Sequence, residues 1–568
     1  MLRRRPIQLG LLSFLGAVAC RDAAAPKLPP CTDGGFHVTL PVVSASVSFD
    51  PGTANGCIVF PANGPADSAE FVLVPQLTTG IPGKTSSYRL AGDTIRPAPV
   101  GPAYSASLAS PEDLPPAEQF HRFLRLGDET HWRELNPQIA PPPTLQAARS
   151  PAAPAGPPAM GSQRTFKVCS KLDCSSFANV AATVRALKSN VAIYVDNTAP
   201  TGGLDSMALD SLAIMFENRL YPTDTAAFGR ESDIDTNSVV MVLMTNTVNK
   251  LVSTADCQKP GAGYIAGFFF GADLDPAFRN DSRSNKGEVF YSIVADPAGT
   301  LSCAHQVNGP GGVKEVVPIT FIHEFQHMIS FNQHVLVRGG DAEVLWLNEG
   351  FSHYAEELGG RTYASGTPEF SNFVKGDLIN AYTYLDSTDK HFLLPTAGIG
   401  SLSERGAAWL FVRFVVDRYA GDTTVAAWNA FTRQLLATTD VGAANIANRT
   451  GDTFTDIVTR WALANWVSDL PGFSAPASLK YDSWKFRTTY ASLHTQNGTA
   501  FPKTFPLTPP TSAGRSVNLT GTLRAGSGVY MRAFQNPSEP GFTLLFSNGS
   551  RGPIAPNTVP RLTVIRVR

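Results

Sequence analysis

Apolar and polar positions change rhythm along the chain. From Phe36 to about Leu126, stretches such as HVTLPVVSASVSF and AEFVLVPQL alternate the two kinds and are broken by Gly, Pro and Asn, the grammar of a β-sandwich. From about residue 165 the apolar runs become continuous. KSNVAIYVDN, NSVVMVLMTN and KGEVFYSIVAD read as buried strands, with GLDSMALDSLAIMFENRLYP as a helix between the first two. Beyond 315, apolar residues recur at three- and four-residue spacing, which predicts helices over 317–334, 341–358, 404–419 and 454–469. The tail from about 500 returns to short strands, SVNLTGTL, GSGVYMRAF and RLTVIRVR. Strands followed by helices predict an α+β fold.

The Pro/Ala-rich stretch PQIAPPPTLQAARSPAAPAGPPAM marks a boundary. The expected organisation is an N-terminal β-rich domain (36–136), a linker (137–162), a central domain (163–480) and a C-terminal β-domain (481–568). The start, MLRRRPIQLGLLSFLGAVAC, has three arginines before an apolar core too short to span a bilayer, so 1–19 read as a signal peptide and 20–35 as a tether. Ala17-Val18-Ala19 fits the small-x-small cleavage rule. Ala19-Cys20 resembles a bacterial lipobox with Cys20 as the lipidated residue, although Ala17 stands where a lipobox has Leu. The expectation is an exported protein, either a cell-envelope lipoprotein or secreted, that touches a membrane only through lipid on Cys20.

Composition adds two constraints. Charged residues are 16% of the 568, net charge is −1, and no basic run follows the first residues, so a nucleic-acid partner is not expected. Of seven cysteines, six remain if Cys20 carries lipid. In an oxidising compartment neighbours would pair as Cys31–Cys57, Cys169–Cys174 and Cys257–Cys303, although six cysteines allow fifteen connectivities. The chain is expected to act as a monomer.

The chemistry concentrates in FIHEFQHMISFNQH, residues 321–334. His323 and His327 are four apart and so share one helix face. Two neutral imidazoles so held suit Zn²⁺, and Glu324 can take a proton from water at the metal, the H-E-x-x-H arrangement. The plain alternative is two satisfied histidines on a half-buried helix. The metzincin extension fails, because Ser330 occupies its glycine position and Gln333 its third histidine. His334 then reads as a helix-end residue facing C-terminal carbonyls. A carboxylate from the next helix remains: Glu349 in EVLWLNEGFSHYAEEL lies twenty-two positions after His327, far enough for a loop and an antiparallel return.

HEFQH followed by WLNEGFSHYAEEL resembles the gluzincin, thermolysin-like metallopeptidases, and the spacing is more similar to the hyicolysin family of secreted bacterial enzymes than to the aminopeptidase N group. YVDN (194–197), YPTDTAAFGRESDID (221–235) and GEVFY (287–291) also resemble that family, over roughly residues 165–475. The resemblance implies a metallopeptidase domain, β-rich first and helical after, with His323, His327 and Glu349 as zinc ligands and Glu324 as general base. It implies that Glu356 could orient a ligand imidazole and leaves His353 as a pocket or supporting residue. The oxyanion-donating tyrosine of aminopeptidase-like gluzincins is replaced by Ser403 in Ser403-Glu404-Arg405-Gly406, so Tyr382, Tyr384 and His391, in the irregular segment expected before it, stand as candidates. Substrate would lie extended along a sheet edge, beside GEVFY, and the lack of a G-x-M-E-N-like run favours an endopeptidase acting on proteins or peptides. Asp273, Asp275 and Asp281 could hold Ca²⁺, but ADLDPAFRNDSRSN lacks the spacing of a known calcium loop, and a solvated loop is preferred. The rival readings are a non-catalytic surface adhesin that keeps the fold and a zinc hydrolase of non-peptide bonds.

Overall fold

Val240–Met244 (VMVLM) is buried at every position, as a strand covered on both faces must be. It lies inside a six-stranded sheet with the spatial order Gly267–Phe269, Val289–Ser292, Val240–Met244, Val191–Asp196, Phe177–Leu187, Gln163–Cys169. The strands Val289–Ser292, Val240–Met244 and Val191–Asp196 run parallel, and the short edge strand Gly267–Phe269 is antiparallel to its neighbour. The computed structural model describes residues 34–92, 115–130, 156–257, 263–301, 309–396 and 400–568, with Leu28 and Cys31. The expected signal peptide, Cys20 and most of the linker lie outside them. Among the described residues no helix is long and apolar enough to cross a membrane.

The helix expected between the first strands begins at Ser206, where Asp205 accepts a hydrogen bond from the Ala208 amide at 2.8 Å. It passes through a π-helical turn, Phe216–Leu220, into Tyr221–Phe228. Two long helices follow the sheet, called here the metal helix (Pro310–Phe331) and the return helix (Leu345–Arg361); the first is buried throughout 321–331 and the second throughout 345–360. Such all-round burial explains why their apolar pattern is nearly continuous. Helix Leu402–Tyr419 packs behind them and starts in a capping box between Ser401 and Glu404.

The two β-regions expected as separate domains are one sandwich. Ala69–Leu77 is buried at all nine positions, and both of its sheet neighbours, Met531–Gln535 and Pro560–Arg566, come from the tail. In the facing sheet, Phe542–Ser547 lies between Cys57–Phe60 and Thr85–Gly92, while Asn518–Arg524 pairs with the outer side of Thr85–Gly92. Phe60 stacks on Phe542 at 4.3 Å in the shared core. The physical reason is that a strand buried on both faces and both edges needs partners that its own end of the chain does not carry. Residues 481–510, expected in the β-tail, instead include helix Phe486–Gln496, whose Tyr490 hydroxyl donates to the Leu378 carbonyl at 3.1 Å. Cys31–Cys57 and Cys169–Cys174 are disulfide-bonded; Cys303 of the third expected pair lies outside the described residues.

Candidate metal centre

His323 and His327 project from one face of the metal helix, with ring centroids 5.0 Å apart. The return helix brings Glu349 against both, Oε2 at 3.8 Å from His323 Nε2 and Oε1 at 3.5 Å from His327 Nε2. The ligand atoms of these three residues lie within 4.8 Å of one another. Each imidazole is held from its far side: His323 Nδ1 lies 2.7 Å from Glu356 Oε1, and His327 Nδ1 lies 3.1 Å from Asn348 Oδ1. A proton on each Nδ1 satisfies those acceptors and turns the lone pair of each Nε2 toward Glu349.

The donor set fits Zn²⁺. Glu349 is fully buried, yet neither of its oxygens, nor His323 Nε2, has a hydrogen-bond partner; orphaned buried acceptors facing one point are what a cation would satisfy. Burial alone would raise the Glu349 carboxyl, but the two imidazoles beside it and the Arg405 guanidinium override it and hold it well below the usual range. Burial, with the Arg125 charge, pushes His327 down to about 3, so it stays neutral as a ligand must. His323, His353 and Glu356 form a second close group. That group already closes through hydrogen bonds on the Nδ1 side, so it reads as support for the ligand set.

The support runs deeper than one residue. His353 Nδ1 lies 2.8 Å from Asp377 Oδ1 and 3.1 Å from Glu356 Oε1. Burial works against both charges, but Glu356 and Asp377 raise His353, while His353 and the His323 hydrogen bond lower Glu356. A cationic His353 therefore clamps Glu356 in the place from which it orients His323.

Glu324 is 1% exposed and lies beside these candidate ligands. Its Oε2 accepts from the Phe269 amide of the edge strand at 3.0 Å. Burial raises its carboxyl, opposed by Arg125 and His323. Part of that burial comes from a helix that sequence reasoning missed inside the region expected as β-rich: Pro116–Thr130, here the cleft helix. His121 Nε2 reaches to 3.7 Å from Glu324 Oε1, and Arg125 Nη2 to 3.6 Å from Oε2. Arg125 Nη2 also donates to the Phe269 carbonyl at 2.8 Å, and Phe120 packs edge-on against Phe268 at 4.8 Å. Burial and the Arg405 charge hold His121 well below its usual range and so neutral. The missed signal was the repeat of Phe120-His121 as Leu124-Arg125 one helical turn later.

Arg405, the third residue of the Ser403 run, lies in helix Leu402–Tyr419 with Nε 3.8 Å from Glu349 Oε2. It is 7% exposed, and its Nε and Nη2 have no hydrogen-bond partner. Ser403 is buried as the second residue of that helix, next to Glu404, which serves the capping box. The expected oxyanion candidates are engaged elsewhere. Tyr382 and Tyr384 belong to helix Pro368–Asp386, not to an irregular segment. The Tyr382 hydroxyl is held by the Lys503 amide at 2.6 Å, and that of Tyr384 pairs with Ser527 Oγ at 3.0 Å. His391 ends a 3₁₀ turn, lowered by burial against the Glu404 charge. His334 is buried in the turn Asn332–Leu336, with Nε2 3.9 Å from Glu343 Oε2, outside the ligand group.

The three aspartates weighed for Ca²⁺ also have protein partners. Asp273 accepts from Tyr291 and Asn285, Asp275 caps a 3₁₀ turn through the Ala277 amide, and Asp281 binds Arg283 through three hydrogen bonds. Among the described residues they do not form a close group of ligand atoms that could hold an ion.

No family model matches the chain. The chain is 29% identical over 144 residues to the neutral metalloprotease ShpI of Staphylococcus hyicus, a match spanning 25% of this chain and 29% of the length of that relative. Over that stretch, then, the protein is similar to a metalloprotease, and its mixed helix-and-sheet architecture is compatible with one.

Proposed function

We propose that the protein is a zinc-dependent endopeptidase whose cleft is closed, in the state seen here, by its own helix Pro116–Thr130. The observation that carries the reading is the buried group of His323, His327 and Glu349 beside Glu324, in which His323 Nε2 and both Glu349 oxygens have no hydrogen-bond partner. Zinc bound there would acidify a water and polarise a substrate carbonyl. Glu324 accepts the proton of the attacking water on a carboxylate oxygen and returns it to the leaving amine nitrogen. An extended peptide pairs with the main chain of the edge strand Gly267–Phe269, the place that Arg125 now takes at the Phe269 carbonyl. Arg405 supplies unpaired N–H groups to the negative charge that develops on the carbonyl oxygen, the role expected of a tyrosine at Ser403. Export, with a lipid on Cys20 or free secretion, remains part of this reading.

The test compares zinc content and cleavage of casein and a broad peptide library across wild type, Arg125→Ala and Arg125→Ala/Glu324→Gln. Bound zinc in all three, with cleavage by Arg125→Ala abolished in the double variant, is the expected result. Bound zinc without cleavage by wild type or Arg125→Ala would sink the proposal. It would favour the second reading, a non-catalytic binding protein, which a permanently closed cleft would suit.

A further inference from the structure

A separate group of oxygen donors lies where the loop ESDIDTNS (231–238) leads into Val240–Met244. Carboxylate oxygens of Asp233, Asp235 and Glu288 fall within 4.8 Å of one another. They come from two elements: the aspartates from the loop, and Glu288 from the residue before strand Val289–Ser292, whose carbonyl takes the Met241 amide at 2.8 Å. Surface acids gather often without consequence, but Glu288 is 1% exposed. Its Oε1 accepts from Ser232 Oγ at 2.5 Å and the Ile234 amide at 3.0 Å, while its buried Oε2 has no partner. The charges do not balance. Arg164 Nη1 lies 3.4 Å from Asp235 Oδ2, so three carboxylates share one guanidinium, which leaves two negative charges.

We propose that Asp233, Asp235 and Glu288 bind Ca²⁺. The donors are all hard oxygens, which selects against the zinc class and for calcium, whose variable coordination tolerates mixed carboxylate and water ligands. Asp233, Asp235 and Asn237 alternate as the first three acidic or amide positions of a known calcium loop do. Ser238, at the sixth position, has φ +62°, the left-handed conformation that glycine supplies in such loops. The glutamate that would close the loop at its twelfth position is Met244 here, and Glu288 from the adjacent parallel strand takes its place. Gly287 makes room for the approach, since a Cβ there would lie 2.7 Å from Asp235 Oδ2. The ion would tie the loop to two central strands, and Val289–Ser292 in turn pairs with the edge strand that touches Glu324. Ca²⁺ thus braces the floor of the cleft from behind.

The full chain, stripped with chelator and reloaded with zinc, is titrated with CaCl₂ by calorimetry, and Tm is read with and without Ca²⁺. One Ca²⁺ per chain and a raised Tm are expected, both lost in Asp233→Asn, with affinity at least about tenfold weaker in Glu288→Gln. Asp233 is exposed, so its variant decides the matter if Glu288→Gln does not fold. No binding by wild type overturns the proposal. So does binding that is unchanged in both variants, and so does Mg²⁺ binding as tight as that of Ca²⁺.

Discussion

Arg125→Ala should open the cleft. The guanidinium is fully buried, donates to the Phe269 carbonyl at 2.8 Å and lies 3.6 Å from Glu324. A hydrogen bond from a charged donor contributes about 1.5–3 kcal/mol, and removing one partner of a buried ion pair costs about 3–5 kcal/mol. The helix would keep Phe120 and Leu124, both buried completely, which hold it by about 1.5–3 kcal/mol each. Docking is therefore weakened and not abolished. A loss of about 3 kcal/mol raises the open fraction about a hundredfold, at about 1.4 kcal/mol per factor of ten. The assay follows hydrolysis of a quenched fluorescent peptide at matched zinc content, together with amide hydrogen exchange over 116–130. Arg125→Ala should cleave at least about tenfold faster and exchange faster in that helix, with Arg125→Lys between it and wild type because the ammonium keeps charge but loses the planar fork. Faster exchange without faster hydrolysis would refute the claim that this helix controls access.

Three further outcomes follow from single contacts. Glu356→Gln removes the anion between His323 and His353 and should weaken zinc binding about 10–100-fold in competition with a chelator; a change under about twofold would show that Glu356 does not orient the ligand. Burial pushes Asp273 up to about 7 from an ordinary 3.8, so its neutral form stabilises the fold fully below pH 3.8, and that contribution is lost as pH rises toward 7. The loss amounts to as much as about 4 kcal/mol in urea unfolding, and Asp273→Asn should flatten that slope. Gly406→Ala should lower Tm by more than about 5 °C or prevent folding, because a Cβ there would lie 2.3 Å from the Asn380 carbonyl carbon, backbone that cannot rotate away.

The helices around the candidate metal site were legible because their evidence is local. His323 and His327 face one way for reasons of helical pitch alone, and Glu349 was within reach of one loop and one antiparallel turn. The pair Cys169–Cys174 was legible for the same reason, at a separation of 5 residues. Tyr382 and Tyr384 lie in a helix, Pro368–Asp386, that opens on the Thr367 cap and Pro368 and differs from the irregular chain expected there. The Ser403 run was read as a comparison point for a tyrosine. Its Arg405 gained a role only when helix Leu402–Tyr419 brought that side chain within 3.8 Å of Glu349.

Periodicity along the chain established which faces are apolar and which residues carry the chemistry; it could not say what covers those faces. The strands of 36–92 and 511–566 each read correctly as strands, yet their pairing across more than 400 residues appears in neither segment, since either neighbour satisfies the same alternation. Likewise the pattern of Phe120, His121, Leu124 and Arg125 marks an amphipathic helix with charge on its apolar side, and only the packed molecule shows that side lying on Glu324 and Phe269. Burial and mutual charge also decide protonation, from neutral His327 to cationic His353. Both depend on neighbours that the chain brings together only when it folds.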